Sequence, residues 1–256
     1  MKLFSERLMT RRVKLGLALF LLAPALASAD MKVLVTETFD ETNSTTIHNG
    51  HTVAWSSEVM GGIQVVNDPG LASGKAFKGR KIVGILPFMA LSNPGDAVRV
   101  HFTFRLAGPI SSTQGGFKVG LFENGDPNNP WYVSAGNGYR WNIATGPYPA
   151  AVTLAKESGG SGQKVLSGQD TTFIDQSNAA FALNDTAKHT ATINLREGDD
   201  GLHLSLAIDG KTIMRSSDLL VSSLAPTCFA IRSDANVFFF DDFSVAGNMK
   251  SGAMPY

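Results

Sequence analysis

The sequence predicts an all-β protein, an antiparallel two-sheet sandwich of the jelly-roll kind. Three observations predict it. Short runs rich in β-branched and aromatic residues recur along the whole chain. Clusters of turn residues such as "NDPG", "SNPGD", "ENGDPNNP", "ESGGSG" and "EGDDG" separate them. No stretch of a dozen residues keeps a 3.6-residue apolar period, and "RSSDLLVSSL" is the one candidate for a short helix. Many short strands joined by regular turns bury one face each and leave the other wet, which is the sandwich pattern.

Residues 1–29 read as a targeting segment. Lys2, Arg7, Arg11, Arg12 and Lys14 form a basic start, "LGLALFLLAPALA" is an apolar run, and Ala27-Ser28-Ala29 is an A-x-A cleavage site. Lys14 follows the Arg11-Arg12 pair where a twin-arginine signal prefers an apolar residue, which favours the ordinary secretory route. The run falls short of the roughly 20 residues of a membrane span, and no later stretch comes near that length. A cleaved, exported protein, secreted or periplasmic, is therefore expected. Five of the 22 basic residues and one of the 22 acidic ones lie in this segment, leaving 17 against 21, a net of −4. That balance excludes a charge-driven nucleic-acid binder. A single cysteine, Cys228, rules out an internal disulfide, so stability must come from burial.

Residues 30–247 read as one domain, followed by a tail over 248–256. The expected strands, in order, are "MKVLVTETF", "GGIQVVN", "KIVGILPF", "AVRVHFTFRL", "GFKVGLF", "YRWNIATG", "AVTLAK", "HTATINLR", "LHLSLAIDG" and "VFFFDDFSVAG". The clearest local unit is the hairpin "ATINLREGDDGLHLSLAIDGK". Ala191, Ile193 and Leu195 alternate with Thr192, Asn194 and Arg196, and Leu202, Leu204, Leu206 and Ile208 alternate with His203 and Ser205. In the last strand, strict alternation groups Phe239, Asp241, Phe243 and Val245 on one face and Phe238, Phe240, Asp242 and Ser244 on the other. One carboxylate then sits beside buried phenylalanine, which demands a cation, hydrogen bonds or water.

The order "TETFD", "FKVGLFENG", "TATINLREGDDGLHLSLAIDG", "FFFDDFSV" resembles the concanavalin A-like, laminin-G-like jelly rolls of secreted bacterial proteins. The closing "DDFSV" is similar to the last strand of several carbohydrate-binding modules. That resemblance implies a structural calcium between first and last strands, with Asp241 or Asp242 as ligand and Glu37 or Asp40 as partner. Hard oxygen ligands suit calcium, and a cation relieves clustered carboxylates.

The strand "VRVHFTFRL" sets Val98, Val100, Phe102, Phe104 and Leu106 against Arg99, His101, Thr103 and Arg105. Lys118, Arg140, Asn142 and Asn194 stand at matching polar positions of other strands. If these strands share a sheet, its wet face is rich in Arg, His and Asn and nearly free of acid. Arginine pairs with carboxylate or sulfate, asparagine bonds hydroxyls, and aromatics stack on sugar rings. Arg99, His101, Arg105, Arg140, Asn142 and Asn194 are thus the expected polysaccharide ligands, with Trp131 and Tyr132 of the loop "ENGDPNNPWYVSAGNGY" at the rim. Trp55, Tyr139 and Trp141 are expected in the core, and His48 and His51 on the surface.

Catalysis has one route here. No glycosidase carboxylate pair, G-x-S-x-G elbow, zinc-spaced cluster or phosphate loop appears. A polysaccharide lyase acting on a uronate polymer would use His101 as base with Arg99, Arg140 and Asn142 neutralising the substrate carboxylate. Carbohydrate binding without catalysis is the leading expectation, the lyase the enzymatic alternative, and a structural envelope or matrix protein the third. Oligomeric state and sugar identity are not encoded in any motif.

Overall fold

A computed structural model of the chain describes residues 31–39, 46–47, 53–57, 64–71, 74–86, 89–108, 116–123, 137–158, 165–166, 170–221, 223–234 and 237–249. The chain is all-β, and its strands form two antiparallel sheets packed face to face. The first sheet holds β1 (Lys32–Glu37), β4 (Gln64–Asn67), β5 (Lys75–Gly79), β7 (Ala97–Leu106), β12 (His189–Gly198), β13 (Gly201–Ile208), β14 (Lys211–Asp218) and β16 (Phe238–Asn248). The second holds β2 (Thr46–Ile47), β3 (Ala54–Ser57), β6 (Lys81–Ile85), β8 (Phe117–Phe122), β9 (Gly138–Thr145), β10 (Ala150–Glu157), β11 (Thr171–Leu183) and β15 (Cys228–Ser233). No helix occurs among the described residues, so "RSSDLLVSSL" is corrected: it is the end of β14 and a turn, with Met214 buried and Arg215 exposed.

The first sheet runs β14-β13-β12-β7-β16-β5-β4, and β1 also pairs with β16. The second runs from β10 and β11 through β9, β8, β15, β6 and β3 to β2. Beyond the edge, β11 lies against β14 and closes one side of the sandwich. Alternation does the work of separating core from surface. Val98, Val100, Phe102, Phe104 and Leu106 of β7 are fully buried, and they meet Phe117, Val119, Trp141, Phe229 and Ile231 of the second sheet in one core. Trp55 sits at its centre, edge-on to Phe240 at 5.4 Å and to Phe243 at 5.0 Å. Tyr139 and Trp141 are buried, as expected.

The last strand departs from strict alternation. Phe238 to Phe240 pair with β5, whereas Phe243 to Gly247 pair with β1, and the register slips between Asp241 and Ser244. Asp242 takes a positive φ of 48°, a conformation that aspartate tolerates better than most residues. The extra residue is a β-bulge, and it resets the faces. Phe238, Phe240, Phe243 and Val245 all point into the core, Asp241 is buried with them, and Phe239 and Asp242 lie only half-buried. The expected grouping of Phe239 with Phe243 is thereby corrected.

Candidate functional site

The polar residues of β7, β12, β13 and β14 share the outer face of the first sheet because their apolar neighbours fix the register. Arg99, Asn194, Ser205 and Arg215 form one continuous row across the four strands. Three strand spacings separate its ends, about 14 Å. Arg99 Nε donates to Asn194 Oδ1 at 2.9 Å, and Asn194 Nδ2 donates to Ser205 Oγ at 3.2 Å. A parallel row holds Arg196, His203 and Ser217. His203 pairs with Asp200 at 2.8 Å and with Ser217 at 2.9 Å. Between them lies an open groove of about 640 Å³ lined by Asn194, Arg196, His203, Ser205, Arg215 and Ser217.

The electrostatics of this face are one-sided. Arg99, Arg196 and Arg215 are exposed, and none of the three faces a carboxylate partner among the described residues. His101 on the same face pairs with Thr192 Oγ1 at 3.0 Å. Burial lowers its pKa, with Asp242 opposing the fall and the neighbouring Arg99 adding to it. Arg105, further along β7, is committed elsewhere. It forms an ion pair with the buried Asp68 at 2.7 Å and lies 4.0 Å over the Phe239 ring.

The expected single groove is corrected. Arg140 and Asn142 belong to β9 of the second sheet, so they point away from Arg99 and His101 across the whole core. Arg140 is buried, with Nη1 donating to Glu157 Oε1 at 3.0 Å and Nη2 to Thr171 Oγ1 at 3.4 Å. Asn142 donates to Thr153 Oγ1 at 3.0 Å. The four residues expected to serve a lyase therefore do not converge. Trp131, Tyr132, Asp40, His48 and His51 lie outside the described residues, as do residues 1–29 and the end of the tail. Arg215 carried too little signal to find from sequence, because a bulge in the β13–β14 pairing breaks its strand's alternation.

At the junction of β1 and β16, Glu37 and Asp241 are both buried, and Glu37 Oε1 accepts the Phe39 amide at 3.2 Å. Among the described residues no group of three or more His, Cys, Asp or Glu side chains stands close enough to hold a metal ion. Two carboxylates fall short of the six to eight or so oxygens calcium takes, so Glu37 and Asp241 alone do not make a calcium site. Cys228 is buried, and burial pushes its thiol up to about 12, which makes it an inert packing residue.

No protein-family model matches the chain, and no curated protein matches its sequence. Solved structures share its fold. It is similar to the carbohydrate esterase vb_24B_21 of the Shiga toxin-encoding bacteriophage phi24B, with a TM-score of 0.51 and 14% identity, over 86% of this chain and 100% of that one. It is also similar to the carbohydrate recognition domain of Emp47p, with a TM-score of 0.50 and 14% identity, over 87% of this chain and 99% of that one. At such identity the likeness establishes one thing, a β-sandwich of the jelly-roll type.

Proposed function

We propose that this chain is an exported carbohydrate-binding protein that holds an acidic polysaccharide on the outer face of β7, β12, β13 and β14. One observation carries the reading: Arg196 and Arg215 line an open groove, Arg99 stands beside it on Asn194, and none of the three has a carboxylate partner among the described residues. Unspent guanidinium groups beside an amide and several hydroxyls suit a polymer that carries carboxylate or sulfate on a hydroxylated backbone. The two similar structures carry carbohydrate-related names, an esterase and a recognition domain, which agrees in kind. Binding without catalysis is favoured, because Arg140 and Asn142 stand on the opposite sheet from His101. A structural calcium belongs to the same reading through Glu37 and Asp241, with its remaining oxygens from backbone, water or Asp40.

Titration with a hexauronate tests the site. Exposed ion pairs contribute about 0.5–1 kcal/mol each. The Arg196→Ala/Arg215→Ala double variant should therefore bind about fivefold to thirtyfold more weakly, with its melting temperature unchanged. Affinity of the wild type should also fall as salt rises from about 0.05 to 0.5 M, because exposed charges are screened. Hexauronate binding that is equal in the double variant and the wild type would remove this face from consideration.

A further inference from the structure

Two residues of the groove on the first sheet join a third beside it in an order that carries chemistry. Ser217 Oγ lies 2.9 Å from His203 Nδ1, and His203 Nε2 lies 2.8 Å from Asp200 Oδ1. An ionised carboxylate only accepts hydrogen bonds, so the proton on Nε2 must point to Asp200. In the neutral ring the lone pair is then on Nδ1, and the Ser217 hydroxyl must donate to it. Both bonds run one way, hydroxyl to imidazole and imidazole to carboxylate. That is the order that activates a serine oxygen as a nucleophile.

The backbone holds each member in place. His203 and Ser217 stand directly opposite each other on β13 and β14, and Arg196 of β12 stands opposite His203 on its other side. Asp200 sits in the two-residue turn between Gly198 and Gly201, which are themselves paired. A Cβ on Gly198 would stand 2.5 Å from His203 Nε2 and 2.8 Å from Asp200 Oδ1, so glycine there leaves room for the imidazole to lie against the turn. Ser217 and His203 both line the open groove of about 640 Å³, where a substrate can reach them. Arg196 and Arg215 line it too, and neither has a carboxylate partner among the described residues. Negative charge that develops beside Ser217 forms next to these guanidinium groups, which stabilise it. Leu204 is the one apolar residue of the lining, so a compact acyl group suits the groove better than a long alkyl chain.

We propose that Ser217, His203 and Asp200 hydrolyse a small acyl ester, an O-acetyl group borne by the acidic polysaccharide held in the same groove. Ser217 Oγ attacks the ester carbonyl carbon while its proton passes to His203 Nδ1, and the carbonyl electron pair moves onto oxygen beside Arg196 and Arg215. The tetrahedral anion collapses, the bond to the sugar oxygen breaks, and that oxygen takes the proton from Nδ1. Water then attacks the acetyl-serine by the same route, releasing acetic acid and restoring the Ser217 hydroxyl. Asp200 is a positioning residue that fixes the ring's tautomer and touches no substrate. The reaction is a hydrolysis, distinct from the elimination that the separation of His101 from Arg140 disfavours. The choice of alcohol rests on the acidic-polymer reading; the chemistry at Ser217 does not.

Release of 4-nitrophenol from 4-nitrophenyl acetate by the full chain tests the chemistry, and release of acetate from an O-acetylated hexauronate tests the substrate. The wild type should act on both. Ser217→Ala and His203→Gln should each lower kcat on the nitrophenyl ester by at least about a hundredfold, at the wild-type melting temperature. Asp200→Asn should lower kcat by at least about tenfold with KM unchanged, a split that a merely structural role would not give. A serine-directed fluorophosphonate should label the wild type at Ser217, as located by peptide mass spectrometry. The proposal is overturned if neither ester is cleaved, if Ser217→Ala cleaves the nitrophenyl ester as fast as the wild type, or if the label falls on another serine. Cleavage of the nitrophenyl ester with the acetylated hexauronate left intact would overturn the choice of alcohol. If hexauronate fails to bind while the nitrophenyl ester is still cleaved through Ser217, the acidic-polymer reading falls and the hydrolase stands.

Discussion

Gly84 of β6 lies opposite Trp55 of β3 on one side and Phe229 of β15 on the other. A Cβ at this position would stand 2.6 Å from Trp55 Cζ3 and 2.9 Å from Val53 Cγ1. Trp55 has no room to retreat, because Phe39, Phe77, Phe240 and Phe243 all pack against it. Gly84→Ala should therefore destabilise by about 1–3 kcal/mol, the usual cost of overpacking. Chemical denaturation reads it directly; a variant as stable as the wild type would mean the indole shifts freely. Other residues were less legible. "FFFDDF" announces a conflict between carboxylates and aromatic surface, but not its resolution. The bulge at Asp241 and Asp242 depends on β16 changing partner from β5 to β1, and a change of partner leaves no mark in a strand's own letters. Arg140 looks free in "GYRWNIATG", because its partner Glu157 is brought alongside only by the pairing of β9 with β10.

At the scale of elements, strands that alternate declared themselves. β7, β12 and β13 each carry one apolar and one polar face, and their register followed from that alone. Strands without alternation did not. β15 is apolar on both faces because residues 165–166 cover the outer one, and β11 is an exposed edge whose register slips twice against β10. The end of β14 shows how an element can matter beyond its own sheet. Asp218 Oδ2 accepts the Tyr139 hydroxyl at 2.6 Å and the Lys156 ammonium at 3.2 Å, both from the second sheet, and Oδ1 accepts the Leu220 amide at 3.1 Å. Burial opposes ionisation of this carboxyl, but these bonds outweigh it and hold its pKa below the usual value. A depressed carboxyl adds stability above its unfolded pKa of about 3.9, and that stability is lost as pH falls through the folded value. Asp218→Asn should cost about 1–3 kcal/mol at pH 7, as loss of a buried hydrogen-bonding partner does. Its melting temperature should converge on that of the wild type below about pH 4. A gap that stays constant down to pH 3 would show that the loss is one of packing alone.

The whole molecule divides its charge between two faces that no single strand reveals. Pooling Arg99 and His101 with Arg140 and Asn142 was the natural inference from polar positions on alternating strands, and the sheet assignment separates them. With one cysteine the chain has no internal disulfide to staple this arrangement, so its stability rests on the aromatic core and on how the first and last strands are joined. That joint places Glu37 at 4% exposure and Asp241 at 0% beside the core. If calcium completes the joint, it binds only the folded chain and must stabilise it by an amount that grows with the logarithm of free calcium. Chelator should then lower the melting temperature of the wild type, and added calcium should restore it. Glu37→Gln and Asp241→Asn keep the shape of each side chain while weakening a cation site, so either should blunt the response to chelator. Magnesium should substitute poorly, since it demands a tighter octahedron than two strand carboxylates and loosely held oxygens supply. A wild-type melting temperature indifferent to chelator would mean that protein hydrogen bonds alone satisfy both carboxylates.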